Sequence, residues 1–145
     1  MDCVPYFPAV IADIEAHLFE KQTVEDIARR YFISPMQLNR HFYSVTGYSV
    51  NKYIRKRRLS DALAQIKASA FPLADIAHAC GYSSQQALCR EIKETLHMTA
   101  TAYKTGNTCF LFPPFNREAH CQIAVTKSTI PSTLRLAFFH SKRTG

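Results

Sequence analysis

The stretch IAHACGYSSQQALCREIK (Ile76–Lys93) decides how this chain folds. Ile76 and Ala77 begin a short apolar turn of helix that stops at Gly81, a residue free to take the left-handed backbone of a tight turn. Beyond it, Leu88 and Ile92 stand four apart and give the next segment one apolar side. Gln85, Gln86 and Arg90 line the other side. A short helix, a tight turn and an amphipathic helix make a helix-turn-helix.

The same pattern occurs earlier in the chain. IARRYFIS (Ile27–Ser34) matches IAHACGYS (Ile76–Ser83) at a shift of 49 residues. With one inserted residue, Arg40, Phe42, Ser49 and Tyr53 match Arg90, Ile92, Thr99 and Tyr103 at a shift of 50. One supersecondary unit is therefore used twice. Ala28 and Ala77 fall where two crossing helices press together, which explains a small residue at both places.

The flanking sequence reads as helix as well. Val10, Ile14 and Leu18 predict a first amphipathic helix over residues 10–20. Thr23, with Asp26 three positions on, caps a short helix to about Tyr31. Ser34 caps the next, Pro35 sits in its first turn where a missing N–H costs nothing, and Gly47 ends it. A long helix follows over residues 50–68, striped by Val50, Ile54, Ala62 and Ile66, before Pro72 breaks the chain. The expected fold is all-α: two helix-turn-helix subdomains joined by a long linker helix. The first unit spans about 8–48, the linker about 49–68 and the second unit about 72–104, with a tail at 105–145.

Composition narrows the function. The 145 residues carry 18 Lys and Arg against 11 Asp and Glu, a formal charge of +7 that favours an acidic partner. The first twenty residues hold no Lys or Arg, whereas KYIRKRR (Lys52–Arg58) holds five basic residues in seven. Five cysteines with no CxxC pair lack both metal-ligand spacing and a disulfide framework, so reduced thiols in the cytoplasm are expected. The N-terminus lacks the basic start and apolar run of a secretion signal, and no apolar stretch is long enough to span a bilayer. His120 beside Cys121 has no third partner and no strand-turn context, so neither catalytic residues, a metal nor a cofactor is expected.

A major groove admits one α-helix, and its base edges present paired donors and acceptors. Gln brackets adenine at N6 and N7, and Arg brackets guanine at O6 and N7. Gln85, Gln86 and Arg90 in the second unit, and Met36, Gln37, Asn39 and Arg40 in the first, lie opposite the apolar sides of their helices. They are the candidate base contacts. Met36 offers a thymine-methyl contact or fills a gap in the core; Arg40 and Arg90 have intramolecular ion pairs as rivals. A linker of about twenty residues spans ~30 Å, close to the ~34–36 Å between successive major-groove faces. Lys52, Arg55 and Lys56 are the candidate phosphate contacts, with the helix starts capped by Ser34, Ser49, Ser83 and Thr99. Arg57 and Arg58 are instead expected to pair with acids such as Asp61 or Glu91.

The strings ISPMQLNRHFYSVTGYSVNKYIRKRRL and DIAHACGYSSQQALCREIKETL, with TATAY beyond, resemble the DNA-binding domain of the AraC/XylS family of bacterial transcription regulators. That resemblance covers about Thr23 to Lys104. It implies seven helices in two subdomains, double-stranded DNA as partner, base contacts from the positions above, and activation by touching RNA polymerase, as a monomer or weak dimer. Phe32 stands where the family's first unit has glycine, at a cost of about 1 kcal/mol if the left-handed turn is kept. Val50 and Ala100 replace usual prolines, and His97 replaces the glycine that closes the second recognition helix.

From Thr105 onward the texture changes, with paired prolines and then QIAVT and TLRLAFF, which run like strands. In outline this tail is similar to the start of gyrase-inhibitor-like effector domains that follow some AraC-type modules. On that resemblance the chain is a truncated regulator whose sensing part is missing. The alternative reading is a protein-interaction module acting through the apolar tail, which salt-insensitive affinity would favour. Cys80 reads as a small packing residue. Cys89, one turn after Gln85, edges the reading face as a candidate redox-sensing thiol.

Overall fold

Capping residues set the helix boundaries. The computed structural model describes residues 6–115. It holds α1 (Phe7–Ala16), α2 (Val24–Arg30), α3 (Pro35–Thr46), α4 (Val50–Ala68), α5 (Leu73–Ala79), α6 (Gln85–Leu96) and α7 (Ala100–Thr105), with no strand among the described residues. Helix α1 starts earlier than its apolar spacing predicts because Pro8 occupies its first turn, and it stops at Ala16 while Leu18 stays buried beyond it. Thr23 and Asp26 close a reciprocal capping box on α2, as Ser34 and Gln37 do on α3. Gly47 ends α3 at φ +77° and donates its N–H to the Tyr43 carbonyl at 2.8 Å. An added Cβ there would meet no atom within 4 Å, so the glycine serves the backbone and not the packing.

The chain forms two compact units, one ending at Arg58 and the other beginning at Leu59, so the division falls inside α4. In the first, α2 packs on α3. Phe42 lies 5.5 Å from the Phe7 ring and 5.3 Å from Tyr53, the latter edge-on. Beside them an ion pair between a buried arginine and a half-buried glutamate closes the unit. Arg57 donates through Nε and Nη2 to the two carboxylate oxygens of Glu15 at 2.9 and 3.0 Å, and the Tyr53 hydroxyl donates to the same carboxylate at 2.7 Å. Arg57 thus pairs with Glu15, 42 residues away in the chain. Arg58 donates to the carbonyls of Leu18 and Glu20 at 2.6 and 2.8 Å.

In the second unit α5 packs on α6, and Leu59, Leu63, Ile66, Leu88 and Ile92 share one core. Cys80 is fully buried in it, within 3.4 Å of the Gln65 side-chain nitrogen. Burial, with the Asp61 carboxylate adding, pushes the Cys80 thiol up to about 11, so it stays protonated and inert near neutrality. After α7 the chain returns as a strap. Phe110 enters the core, its N–H donating to the Tyr103 hydroxyl oxygen at 3.0 Å, and the Phe112 N–H donates to the buried Ser60 hydroxyl at 2.9 Å. Lys67 donates to the carbonyls of Gly106 and Thr108 and sits 4.8 Å over the Tyr103 ring. The strand-like QIAVT and TLRLAFF, and the His120–Cys121 pair, lie outside the described residues.

Candidate nucleic-acid interface

The two turns are built alike. Each short helix ends in a residue with positive φ, Phe32 at 56° and Gly81 at 80°. In each, the residue after it donates back across the turn: Ile33 N–H to the Ala28 carbonyl at 3.1 Å, and Tyr82 N–H to the Ala77 carbonyl at 2.9 Å. Phe32 therefore keeps the left-handed turn that the glycine position implies, and it stands 96% exposed.

The inserted residue lies between turn and cap. The second recognition helix is capped by Ser84, whose hydroxyl accepts the Ala87 N–H at 3.1 Å; Ser83, the expected cap, belongs to the turn. Two adjacent serines hide the difference. Extending the 50-residue match backward from Arg40 and Arg90 pairs Ser34 with Ser84, and that signal was available. Ser49 and Thr99 accept from the N–H groups of Lys52 at 3.3 Å and Ala102 at 3.1 Å. His97 closes α6 at φ 55°, doing what Gly47 does for α3.

On α6, Leu88 and Ile92 are buried while Gln85, Gln86 and Arg90 are exposed. None of these three makes a hydrogen bond or ion pair with any of the described residues. On α3, Leu38 and Phe42 are buried, and Met36 and Arg40 are exposed with a guanidinium nitrogen 3.9 Å from the Met36 sulfur. Met36 is thus no core filler, and neither Arg40 nor Arg90 is ion-paired among the described residues. The two α3 carboxamides are engaged locally. Gln37 Oε1 accepts from the Ser34 N–H at 3.1 Å, and Asn39 Oδ1 accepts from the Val50 N–H at 3.1 Å, capping α4.

Of the basic residues that open α4, Arg55 is exposed and Lys52 and Lys56 are half-buried, with the Lys56 ammonium 5.7 Å over the Tyr48 ring. Among the described residues no helix is long and apolar enough to cross a membrane, and no group of three or more His, Cys, Asp and Glu side chains is placed to hold a metal ion. Sequence reading missed Tyr43, exposed on α3 seven residues after Met36. Its helical spacing was the sign that it shares that face.

A helix-turn-helix domain family matches residues 27–106. The transcriptional regulator Rob of Salmonella typhimurium is 33% identical over 94 residues, 65% of this chain and 32% of its own. The chain thus spans about a third of that relative's length. The regulatory protein SoxS of Escherichia coli K12 is 32% identical over 95 residues, 66% of this chain and 89% of SoxS. Among solved structures, the DNA-binding domain of the global transcriptional factor AdpA, in complex with a target DNA, superposes with a TM-score of 0.63 at 28% identity, covering 67% of this chain and 87% of that one. An AraC-type regulator from Chromobacterium violaceum gives 0.62 at 25% identity over 69% of this chain and 89% of its own. Matched over more than half its length, and folded as two units that share turn, cap and exposed arginine, the chain belongs to the AraC/XylS family of transcription regulators.

Proposed function

We propose that this chain binds DNA in a sequence-specific way and regulates transcription, with α3 and α6 entering adjacent major-groove turns of one promoter site. The observation that carries the reading is the state of Gln85, Gln86 and Arg90. All three are exposed and unengaged on the face opposite a buried apolar side, near the end of the helix that such motifs push toward the bases. Their planar, paired hydrogen-bonding groups suit purine edges. Arg40 and Met36 occupy the corresponding face of α3. Lys52, Arg55 and Lys56 serve phosphates, as do the helix starts at Ser34, Ser49, Thr99 and the Ser83–Ser84 pair. The similar AdpA domain, solved on its target DNA, supports DNA as the partner. Such a regulator works in the cytoplasm as a monomer or weak dimer, touches RNA polymerase, and catalyses no reaction.

The test is selection of bound duplexes from a random pool at two ionic strengths. The expected outcome is a two-part consensus with half-sites about one helical turn apart and an affinity that falls steeply with salt. Binding indifferent to both sequence and salt would sink the reading in favour of a protein partner. Arg90→Ala is expected to cost about 1–3 kcal/mol of binding and to relax preference at one base position. Lys52→Ala is expected to weaken all sequences alike and to lower the salt slope by about 1. Gel shifts across a mutated operator series, at several salt concentrations, measure both.

A further inference from the structure

The two recognition helices carry different chemistry at matching positions. At a shift of 50, Met36, Arg40 and Tyr43 of α3 correspond to Gln86, Arg90 and Lys93 of α6; at a shift of 49 the turn residue Phe32 corresponds to Gly81. The arginine is common to both, while the methionine and tyrosine beside it give way to Gln86 and Lys93, and the turn phenylalanine to glycine. The apolar set is not buried: Phe32 is 96%, Met36 69% and Tyr43 58% exposed. The carboxamides of the first unit are meanwhile drawn into its own scaffold. The Gln37 oxygen is held by both the N–H and the hydroxyl of Ser34, and the Asn39 oxygen by the start of α4.

We propose that the first unit reads thymine methyl groups, through Met36 with Phe32 and Tyr43 flanking it, while reading of purine edges by carboxamides belongs to the second unit alone. Gln37 and Asn39 are then positioning residues that hold the starts of α3 and α4. This rests on the DNA-binding reading above. Thymine is the base whose major-groove edge carries an apolar group, the C5 methyl. Methionine, unbranched and polarisable, adapts to such a surface. Arg40 argues against an apolar protein partner as the occupant. Arg40 falls between Met36 and Tyr43 in the helix, its guanidinium 3.9 Å from the Met36 sulfur with no ion pair among the described residues, and an apolar partner would bury that charge uncompensated. In a major groove it meets guanine and the phosphate field.

The experiment uses the full chain and a duplex chosen by the selection described above, with each thymine replaced singly by deoxyuridine, which lacks only the methyl. Replacement at thymines of one half-site is expected to weaken binding about fourfold per methyl, and replacement in the other half-site to leave it unchanged. Met36→Ala should abolish the sensitivity, and Gln86→Ala should keep it. Both side chains are exposed, so folding is preserved, and circular dichroism checks this; Phe32→Ser gives an independent second variant with a reduced effect of the same sign. A specific duplex insensitive to deoxyuridine everywhere, equal sensitivity in both halves, or sensitivity that survives Met36→Ala overturns the division of labour while leaving DNA binding intact. If no duplex is selected at all, the DNA-binding reading fails and this inference falls with it. Gln37→Ala and Asn39→Ala should lower the melting temperature while leaving the base-preference profile unchanged; a shifted profile would make them readers and overturn their assignment as positioning residues.

Discussion

Glu15→Ala is expected to destabilise the first unit by about 3–5 kcal/mol, the cost of breaking an ion pair from one side when the arginine is buried. Arg57 is only 7% exposed, and its two-point contact with Glu15 is the geometry in which an arginine–carboxylate pair is strongest. Removing the carboxylate also takes an acceptor at 2.7 Å from the hydroxyl of Tyr53, a residue buried in the core. The Tyr53 ring cannot turn to water without opening its edge-on packing against Phe42. Urea unfolding followed by circular dichroism measures the loss, as a midpoint lowered by on the order of 1 M or more. The pair is not irreplaceable, however. Glu15→Leu combined with Arg57→Met should recover most of the stability, because two apolar groups of similar volume avoid the desolvation that the ions incur. A single variant with an unmoved midpoint would show that the pair contributes nothing.

Phe110→Ala should cost the second unit about 3–5 kcal/mol through lost burial and the cavity left behind. Its ring belongs to the core that Leu63, Leu88 and Ile92 form, although it arrives from a segment without regular structure. The strap is pinned at Tyr103, Ser60 and Lys67, so little in it can collapse to fill the gap. Thermal unfolding should register a fall on the order of 10 °C or more. Leu111→Ala, one residue on but exposed, is expected to change stability by less than about 0.5 kcal/mol. Equal effects from the two substitutions would refute the docked strap.

These two residues also mark where sequence reading stops. The helices were legible because their signals are local: the capping box of Thr23 and Asp26, Pro35 in a first turn, Gly47 past a last one. The duplication was legible because the same turn recurs with Ala28 and Ala77 in the same place. The pairing of Glu15 with Arg57 depends on two elements meeting, and no short-range pattern announces it. Phe110 reads as the start of a strand-like tail until the core it fills is known. At the interface, exposure of Gln85, Gln86 and Arg90 follows from periodicity alone. The engagement of Gln37 and Asn39 does not, since a carboxamide facing outward and one folded back to a nearby N–H have the same place in the sequence. The cap falls at Ser84 and not Ser83 because the inserted residue sits beside a second serine, and only the 50-residue match from Arg40 and Arg90 tells the two apart.

The sulfur sealed beneath α5 has a practical consequence. Cys80 is fully covered and its thiol is held protonated, whereas Cys109 is exposed and Cys89 half-exposed. An alkylating reagent therefore meets Cys80 only when the second unit breathes, and Cys109 and Cys89 supply an internal standard for the reagent's strength. The chain carries its own clock for the opening of that half, and DNA that clamps α6 should slow it.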